Sequence, residues 1–333
     1  MNIANSEILS IDLKNYRAQF EDPDFGLALA TELTQQLGYN LPLVRKTEGS
    51  SLVFTMGQDY FFKITPPFFQ DSIEAEIAAT QAIGDQLPFS IPKILKTGTL
   101  KDWKFVITEA VPGLQAKDIF KTFTTDDKMQ FAGEVGSVIG AINKLEIKDF
   151  ARSFGPWDDY LSYRLKNCRE LHSDKGNSPE WTEKIGQFID EHADALKKLK
   201  ASKLIHADLN HEHLMLQKIK DQWKISGVLD FADAMDAPVE LEFVLPILCF
   251  FKGNAEYQQR LWESSKLSPQ FSHDNYSKMM MALALQNRFI EFQDWFSREI
   301  KNGATTVEEV AQMVFCRKDI AGLIDFDENG LVI

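Results

Sequence analysis

From residue 41 to residue 111 the chain is written mostly in short β-favouring runs, and after residue 113 it is written mostly in helix. That segregation limits the fold more than any single motif does. "LPLVRKT" (41–47), "SLVFTM" (51–56) and "DYFFKIT" (59–65) are rich in branched and aromatic residues and are broken by "EGS" and "GQ". This is the pattern of an antiparallel meander. "DSIEAEIAATQAIG" (71–84) reads as a helix, with Asp71 or Ser72 to start it and Gly84 to stop it. "IPKILKTGTL" and "WKFVITEAV" add two strands around a turn at Gly98. The first forty residues look helical, and in "PDFGLALATELTQQLGYN" Gly38 and Asn40 provide a stop.

Beyond "VPG" (111–113), helices are expected over 157–172, 180–200, 239–251, 255–265, 274–300 and 306–314. "DDKMQFAGEVGSVIGAINKL" places Met129, Val135, Ile139 and Ile142 near one face, which is a packing stripe. The expected fold class is therefore α+β with two lobes. A β-rich N-terminal lobe with a helical extension spans 1–108, a connector spans 109–113, and a larger helical lobe spans 114–333. A net charge of −13 argues against nucleic acid as a partner, because neutralising phosphates takes clustered cations. The longest apolar run, "FVLPILCFF" (243–251), is about half of what a bilayer span needs. Three scattered cysteines and an N-terminus without a basic-then-apolar leader point to a cytoplasmic protein with no membrane association.

One stretch interrupts the helices. "LIHADLNHEHLML" (204–216) carries three of the six histidines, two carboxylates and an asparagine. "LMLQKI" (214–219) and "WKISGVLD" (223–230) then read as a hairpin around the three-residue turn "KDQ". With Ile219 opposite Trp223, His213 falls opposite Leu229, so His213 and Asp230 meet at one edge near Asp208. Two carboxylates and an imidazole there suit a divalent metal, or a metal with one carboxylate left over as a base. Alternatively, Asp208 and Asp230 cap turns.

"HADLNHEHLML" followed by "GVLDFADA" resembles the paired motifs of the aminoglycoside phosphotransferase and choline kinase-like families, which share the protein-kinase-like fold. Their pattern is HGDxxxxN, two short strands, then (I/V)DFxDA. The resemblance implies that Asp208 is the catalytic aspartate, that His206 braces its loop, that Asp230 binds metal and that Asp233 is the second acid of the signature. The family's metal-binding asparagine falls at His213. Some aminoglycoside and macrolide phosphotransferases resemble this chain in having histidine there, so His213 is kept as a metal ligand. Asn210 is expected to cap the loop, and His211 to have no essential part.

The resemblance also makes demands on the first lobe. Lys63, in "YFFKIT", stands where the fold needs a phosphate-neutralising lysine. Glu76 on the following helix is the expected partner, with Glu74 in reserve. Gly49, Ser50 and Ser51 of "EGSS" occupy the phosphate-covering loop, where backbone N–H groups and short hydroxyls suit phosphate oxygens. Main-chain groups near Glu109 and Val111 are placed to bond the base, with Thr108 behind them. The implied cofactors are ATP or GTP and Mg2+.

The acceptor is expected to be a small molecule with a hydroxyl, with an aminoglycoside or another amine-bearing, cationic alcohol as the candidates. Asp159, Glu240 and Glu242 are candidate contacts, beside Trp157, Asp158 and Asp236. Acids near a cleft steer cations into it. Two other readings compete. One is a kinase-like protein that binds a nucleotide or partner without transfer, and the other is a metal-dependent hydrolase using His211 and His213.

Overall fold

The structure is a computed structural model. It describes Ile8 and residues 10–316 except 48, 101, 148–154 and 202. Glu48 of the "EGSS" loop and both chain ends lie outside the described residues.

Five antiparallel strands form the first sheet: β1 (Leu43–Lys46), β2 (Leu52–Met56), β3 (Tyr60–Thr65), β4 (Ile94–Leu100) and β5 (Trp103–Glu109). Their order is β1-β2-β3-β5-β4. Side chains alternate across a strand, and in β3 Phe62 and Ile64 are buried on one face. That face packs with Leu52, Phe54, Phe105 and Ile107 against the N-terminal helices α1 (Leu13–Gln19) and α2 (Leu27–Gln36). Lys63 therefore points to the opposite face, where α3 (Gln70–Ile83) lies. Gly98 does not form the turn. It sits within β4 because Leu100 pairs with Trp103, and the Phe105 ring lies over it, 2.5 Å from where a Cβ would be.

The chain then passes through β6 (Leu114–Gln115) into α4 (Thr125–Asn143), α5 (Trp157–Lys166), α6 (Cys168–Asp174) and α7 (Pro179–Leu196). Thr124 and Asp127 cap α4 reciprocally, the arrangement that satisfies two orphan N–H groups at a helix start. Val135, Ile139 and Ile142 are buried as expected, joined by Phe131 and Val138. A feature absent from that stripe is the close seat of α4 on α9 (Ala255–Ser265). A Cβ at Gly136 would lie 2.1 Å from the Leu261 carbonyl oxygen, so only glycine fits.

The remaining strands are β7 (Lys203–Ile205), β8 (Leu214–Ile219), β9 (Gln222–Val228) and β10 (Met235–Ala237), with β7 paired to β10 and β6-β8-β9 in one sheet. The β8–β9 turn is shorter than the sequence suggests. Ile219 pairs with Gln222 across Lys220 and Asp221, both at positive φ, as a type I′ hairpin requires. A bulge between Met215 and Leu216 then shifts the register by one residue. The two changes cancel, and the Leu229 N–H donates to the His213 carbonyl at 2.9 Å.

The segment between α3 and β4 is also tied to β9. Ser90 N–H donates to the Ser226 carbonyl and the Ser90 carbonyl accepts from Val228 N–H, both at 3.0 Å. α8 (Glu240–Pro246) continues into a π turn over Ile247–Phe251, and α10 (Tyr276–Gln286) and α11 (Val307–Val314) complete the helical region. The expected helix over 274–300 is broken. Asn287 turns extended, while Arg164 donates to the Leu285 and Asn287 carbonyls and the Tyr160 hydroxyl donates to that of Gln286. With its last carbonyls satisfied from α5, α10 ends there. The expected helix over 157–172 is likewise split, at Asn167.

Candidate active site

Lys63 and Asp230 are 167 residues apart and meet at 3.5 Å. Lys63 Nζ also donates to Glu76 at 2.6 Å, with both side chains about 85% buried. Glu74, the reserve partner, is instead bound by Lys104 on β5. Burial opposes the charge on Lys63, but the carboxylates of Asp230 and Glu76 outweigh it and raise its pKa. Burial also opposes ionisation of Asp230, yet Lys63 and His213 hold its pKa well below the ordinary value. Both groups are thus charged at neutral pH. An ion pair taken so far out of water contributes little net stability.

Asp208 lies on the loop after β7. Its N–H donates to His206 Nδ1 at 3.2 Å, while His206 Nε2 contacts the Leu229 carbonyl at 2.8 Å. The first bond requires an unprotonated Nδ1, so Nε2 carries the proton and His206 is neutral. Burial, with the charge of His213, pushes its pKa down to about 3. His206 therefore ties the Asp208 loop to the end of β9. On the other side, Asn210 donates to Asp208 Oδ1 at 2.9 Å and accepts the Glu212 N–H at 2.8 Å. Asn210 caps the loop as expected, and it also orients the carboxylate. His213 Nδ1 contacts the Asp208 carbonyl oxygen at 2.7 Å, leaving Nε2 for any other ligand. Burial pushes the Asp208 pKa up to about 6, with Asp233 and Asp230 acting in the same direction against His213.

Between His206 and Asp208, Ala207 adopts φ +65°, a left-handed conformation that costs an alanine about 1–2 kcal/mol. One oxygen of Glu242 holds it there, accepting the N–H groups of both His206 and Ala207. Asp230 is also left-handed, and its Oδ1 accepts the Ala232 N–H at 3.2 Å.

Residues 47–266, about two thirds of the chain, match the family model for the phosphotransferase enzyme family, APH. The chain belongs to the APH phosphotransferase family. No curated protein matches the sequence. Among solved structures, the GDP complex of wild-type aminoglycoside 2'-phosphotransferase-IIIa is 16% identical, with 85% of this chain and 97% of that chain covered at a TM-score of 0.64. The streptomycin–ATP complex of APH(2")-IIa is 15% identical, with 85% and 97% covered at 0.56. Macrolide 2'-phosphotransferase MphH from Brachybacterium faecium, as apoenzyme, is 14% identical, with 85% and 96% covered at 0.54. The shared fold is the protein-kinase-like one.

Against the APH pattern, several expected contacts lie elsewhere. Glu240 is fully buried and bound by Gln270, and Glu242 is 2% exposed beneath the Asp208 loop. Neither lines a surface that a substrate could touch, because both are buried. Asp159 and Asp158 are exposed on the first turn of α5. Gly49, at φ +84°, and Ser50 are exposed, but the Ser51 hydroxyl is turned inward to accept from Thr65 Oγ1 at 2.9 Å. Glu109 ends β5 with its N–H on the Lys93 carbonyl, and Val111 is buried against Gly227. A residue not foreseen is Arg288, whose guanidinium pairs with the buried Asp233. Asn287, a residue suited to ending a helix, was the available signal for that break. Among the described residues no three histidine, cysteine or carboxylate side chains gather as a metal cage. No helix among the described residues is long and apolar enough to cross a membrane.

Proposed function

We propose that this protein transfers the γ-phosphoryl group of a nucleoside triphosphate, ATP or GTP, to a hydroxyl of a small molecule. The observation that carries this reading is the convergence of Lys63, Glu76 and Asp230 in one charged cluster, with Asp208 close enough to feel the Asp230 charge. Four separate elements supply these groups, and a phosphoryl-transfer site needs each of them.

In this reaction the acceptor hydroxyl lies against Asp208, which orients it and takes its proton as phosphoryl moves. Lys63, fixed by Glu76, engages the phosphate oxygens and keeps the triphosphate in line. Asp208 itself is aimed from both sides, by Asn210 on the carboxylate and by Glu242 and His206 on the backbone. The Asp230 carboxylate would hold magnesium, which would offset charge on the phosphates, and His213 would join it through Nε2 only in its neutral form, because the imidazolium favoured by Asp208 and Asp230 has no lone pair to give. Asp230 reaches that role ionised, and the Asx turn onto Ala232 sets the direction of its carboxylate. The nucleotide base lies near Glu109 and Val111, with Gly49, Ser50 and the Ser51 backbone over the phosphates.

The acceptor we infer is an amine-bearing alcohol. Asp159 and Asp158 supply exposed acid on α5, and the net charge of −13 favours a cation. Members of the same fold have been solved with kanamycin, gentamicin and streptomycin. The rival, a protein that binds nucleotide without transfer, draws its support from His213 in place of asparagine. A coupled nucleotide-turnover screen against aminoglycosides, amino-alcohols, sugars and macrolides separates the two. Acceptor-dependent turnover supports transfer. Nucleotide binding with no turnover on any acceptor would leave the binding protein.

The reaction should also carry a pH signature. A base must be ionised to accept the hydroxyl proton, and burial raises the Asp208 pKa from its ordinary 3.8 to about 6. The acid limb of kcat/KM is therefore expected near pH 6. A profile that stays flat down to about pH 4 would remove Asp208 as the titrating base.

A further inference from the structure

The family match begins at residue 47 and leaves α1 outside it, yet α1 reaches the phosphate-covering loop. Tyr16 is 1% exposed and packed among the rings of Phe20, Phe25, Phe68, Phe69 and Trp103, with centroids 5.3–6.2 Å away. Its hydroxyl emerges from this aromatic cluster and donates to the Ser50 carbonyl at 2.8 Å, across 34 residues of sequence. A buried tyrosine hydroxyl needs a partner, and here the partner is a loop carbonyl rather than part of a strand ladder.

The peptide plane gives that bond a consequence. A trans peptide carries its C=O and the next N–H in opposite directions. Fixing the Ser50 carbonyl toward Tyr16 therefore turns the Ser51 N–H away from the aromatic cluster. The Thr65 hydroxyl, at the end of the neighbouring strand β3, pins the same residue by donating to Ser51 Oγ at 2.9 Å. The loop is left with one peptide held from inside and a glycine at positive φ before it. Such an arrangement presents backbone N–H groups to an anion without a conformational search. Burial raises the Tyr16 pKa further above its ordinary 10.0, so the phenol remains a donor throughout the neutral range.

We propose that Tyr16 is a positioning residue for the triphosphate, setting the Ser50–Ser51 peptide so that the loop is ready for phosphate oxygens, and that α1 is thereby part of the nucleotide site. The proposal rests on the phosphoryl-transfer reading above. It assigns to Tyr16 an effect on phosphate binding that a merely structural tyrosine would not have.

The test uses the full chain with Tyr16→Phe, which keeps the ring and removes only the hydroxyl. Thr65→Val is the second variant, removing the other pin on Ser51. Binding of the imido analogues of ATP and GTP is measured beside binding of adenosine and guanosine, which lack phosphates. Losing one hydrogen bond of this kind should weaken analogue binding about 3–10-fold. Nucleoside binding and kcat at saturating nucleotide should stay within about twofold, while KM for the triphosphate rises. Equal weakening of nucleoside and triphosphate, or unchanged triphosphate binding beside a lowered melting temperature, overturns the proposal and leaves Tyr16 as core packing. A wild-type protein that binds neither analogue overturns the phosphoryl-transfer reading and this inference together.

Discussion

Asp208→Asn is expected to lower kcat by about 10³-fold while leaving the nucleotide Kd within about twofold. The asparagine side chain has the same shape, and its amide oxygen can still accept from Asn210, so the loop geometry survives. The lost property is the ability to take a proton. The Lys63–Glu76 pair and Asp230, to which the proposal gives the phosphates, are untouched. Steady-state turnover with a screened acceptor gives the first quantity, and calorimetry with a non-hydrolysable nucleotide gives the second. Near-normal turnover would remove Asp208 from the reaction. Loss of both turnover and nucleotide binding would mean that the substitution had disturbed the cleft, and the neighbouring Asp230 would become the residue to examine.

The parts of this site that could be read in the sequence are those whose chemistry is at odds with their surroundings. A lysine between Phe62 and Ile64 in a strand needs a reason to be there, and the reason is Glu76 and Asp230. Glu76 rather than Glu74 meets the lysine because α3 leans one face toward the sheet, and Glu74 has its own cation in Lys104. The hairpin was legible in outcome but not in detail. A turn one residue shorter than expected and a bulge offset each other, so His213 still lies opposite Leu229. Bulges leave no reliable mark in a single sequence.

What stayed hidden depends on burial of charge. Acids are mostly exposed, so Glu240 and Glu242 looked like pocket lining when both are interior hydrogen-bond acceptors. Arg288 sat inside a long apolar pattern that reads as one helix. The break at Asn287 depends on carbonyls being satisfied by Arg164 and Tyr160, more than 120 residues earlier. Tyr16 was invisible for the same reason, since its partner is a backbone atom in a different element.

The other large effect is expected at Glu242. In Glu242→Ala the N–H groups of His206 and Ala207 lose their shared acceptor in a buried loop, at about 1–3 kcal/mol each. Ala207 would then have nothing to hold it at φ +65°, so the Asp208 loop should relax. The expected result is a loss of about 2–5 kcal/mol in stability and at least tenfold in kcat, with nucleotide affinity little changed. Glu242→Gln separates the charge from the hydrogen bonds. Burial raises the Glu242 pKa from 4.5 to about 7, against the two backbone N–H groups and with the charge of Asp208 adding to it. A native pKa above the unfolded one means that the folded state holds the proton more tightly. This stabilisation is complete below about pH 4.5 and is lost as pH rises through about 7, amounting to about 3 kcal/mol across that window. Glutamine is neutral throughout and has no such dependence. The wild type should therefore lose stability relative to Glu242→Gln between about pH 5 and pH 8, as followed by denaturant unfolding at each pH. A difference that stays constant with pH would show that Glu242 is ionised in the folded protein over the whole range, and its carboxylate would then hold the Asp208 loop as a full negative charge.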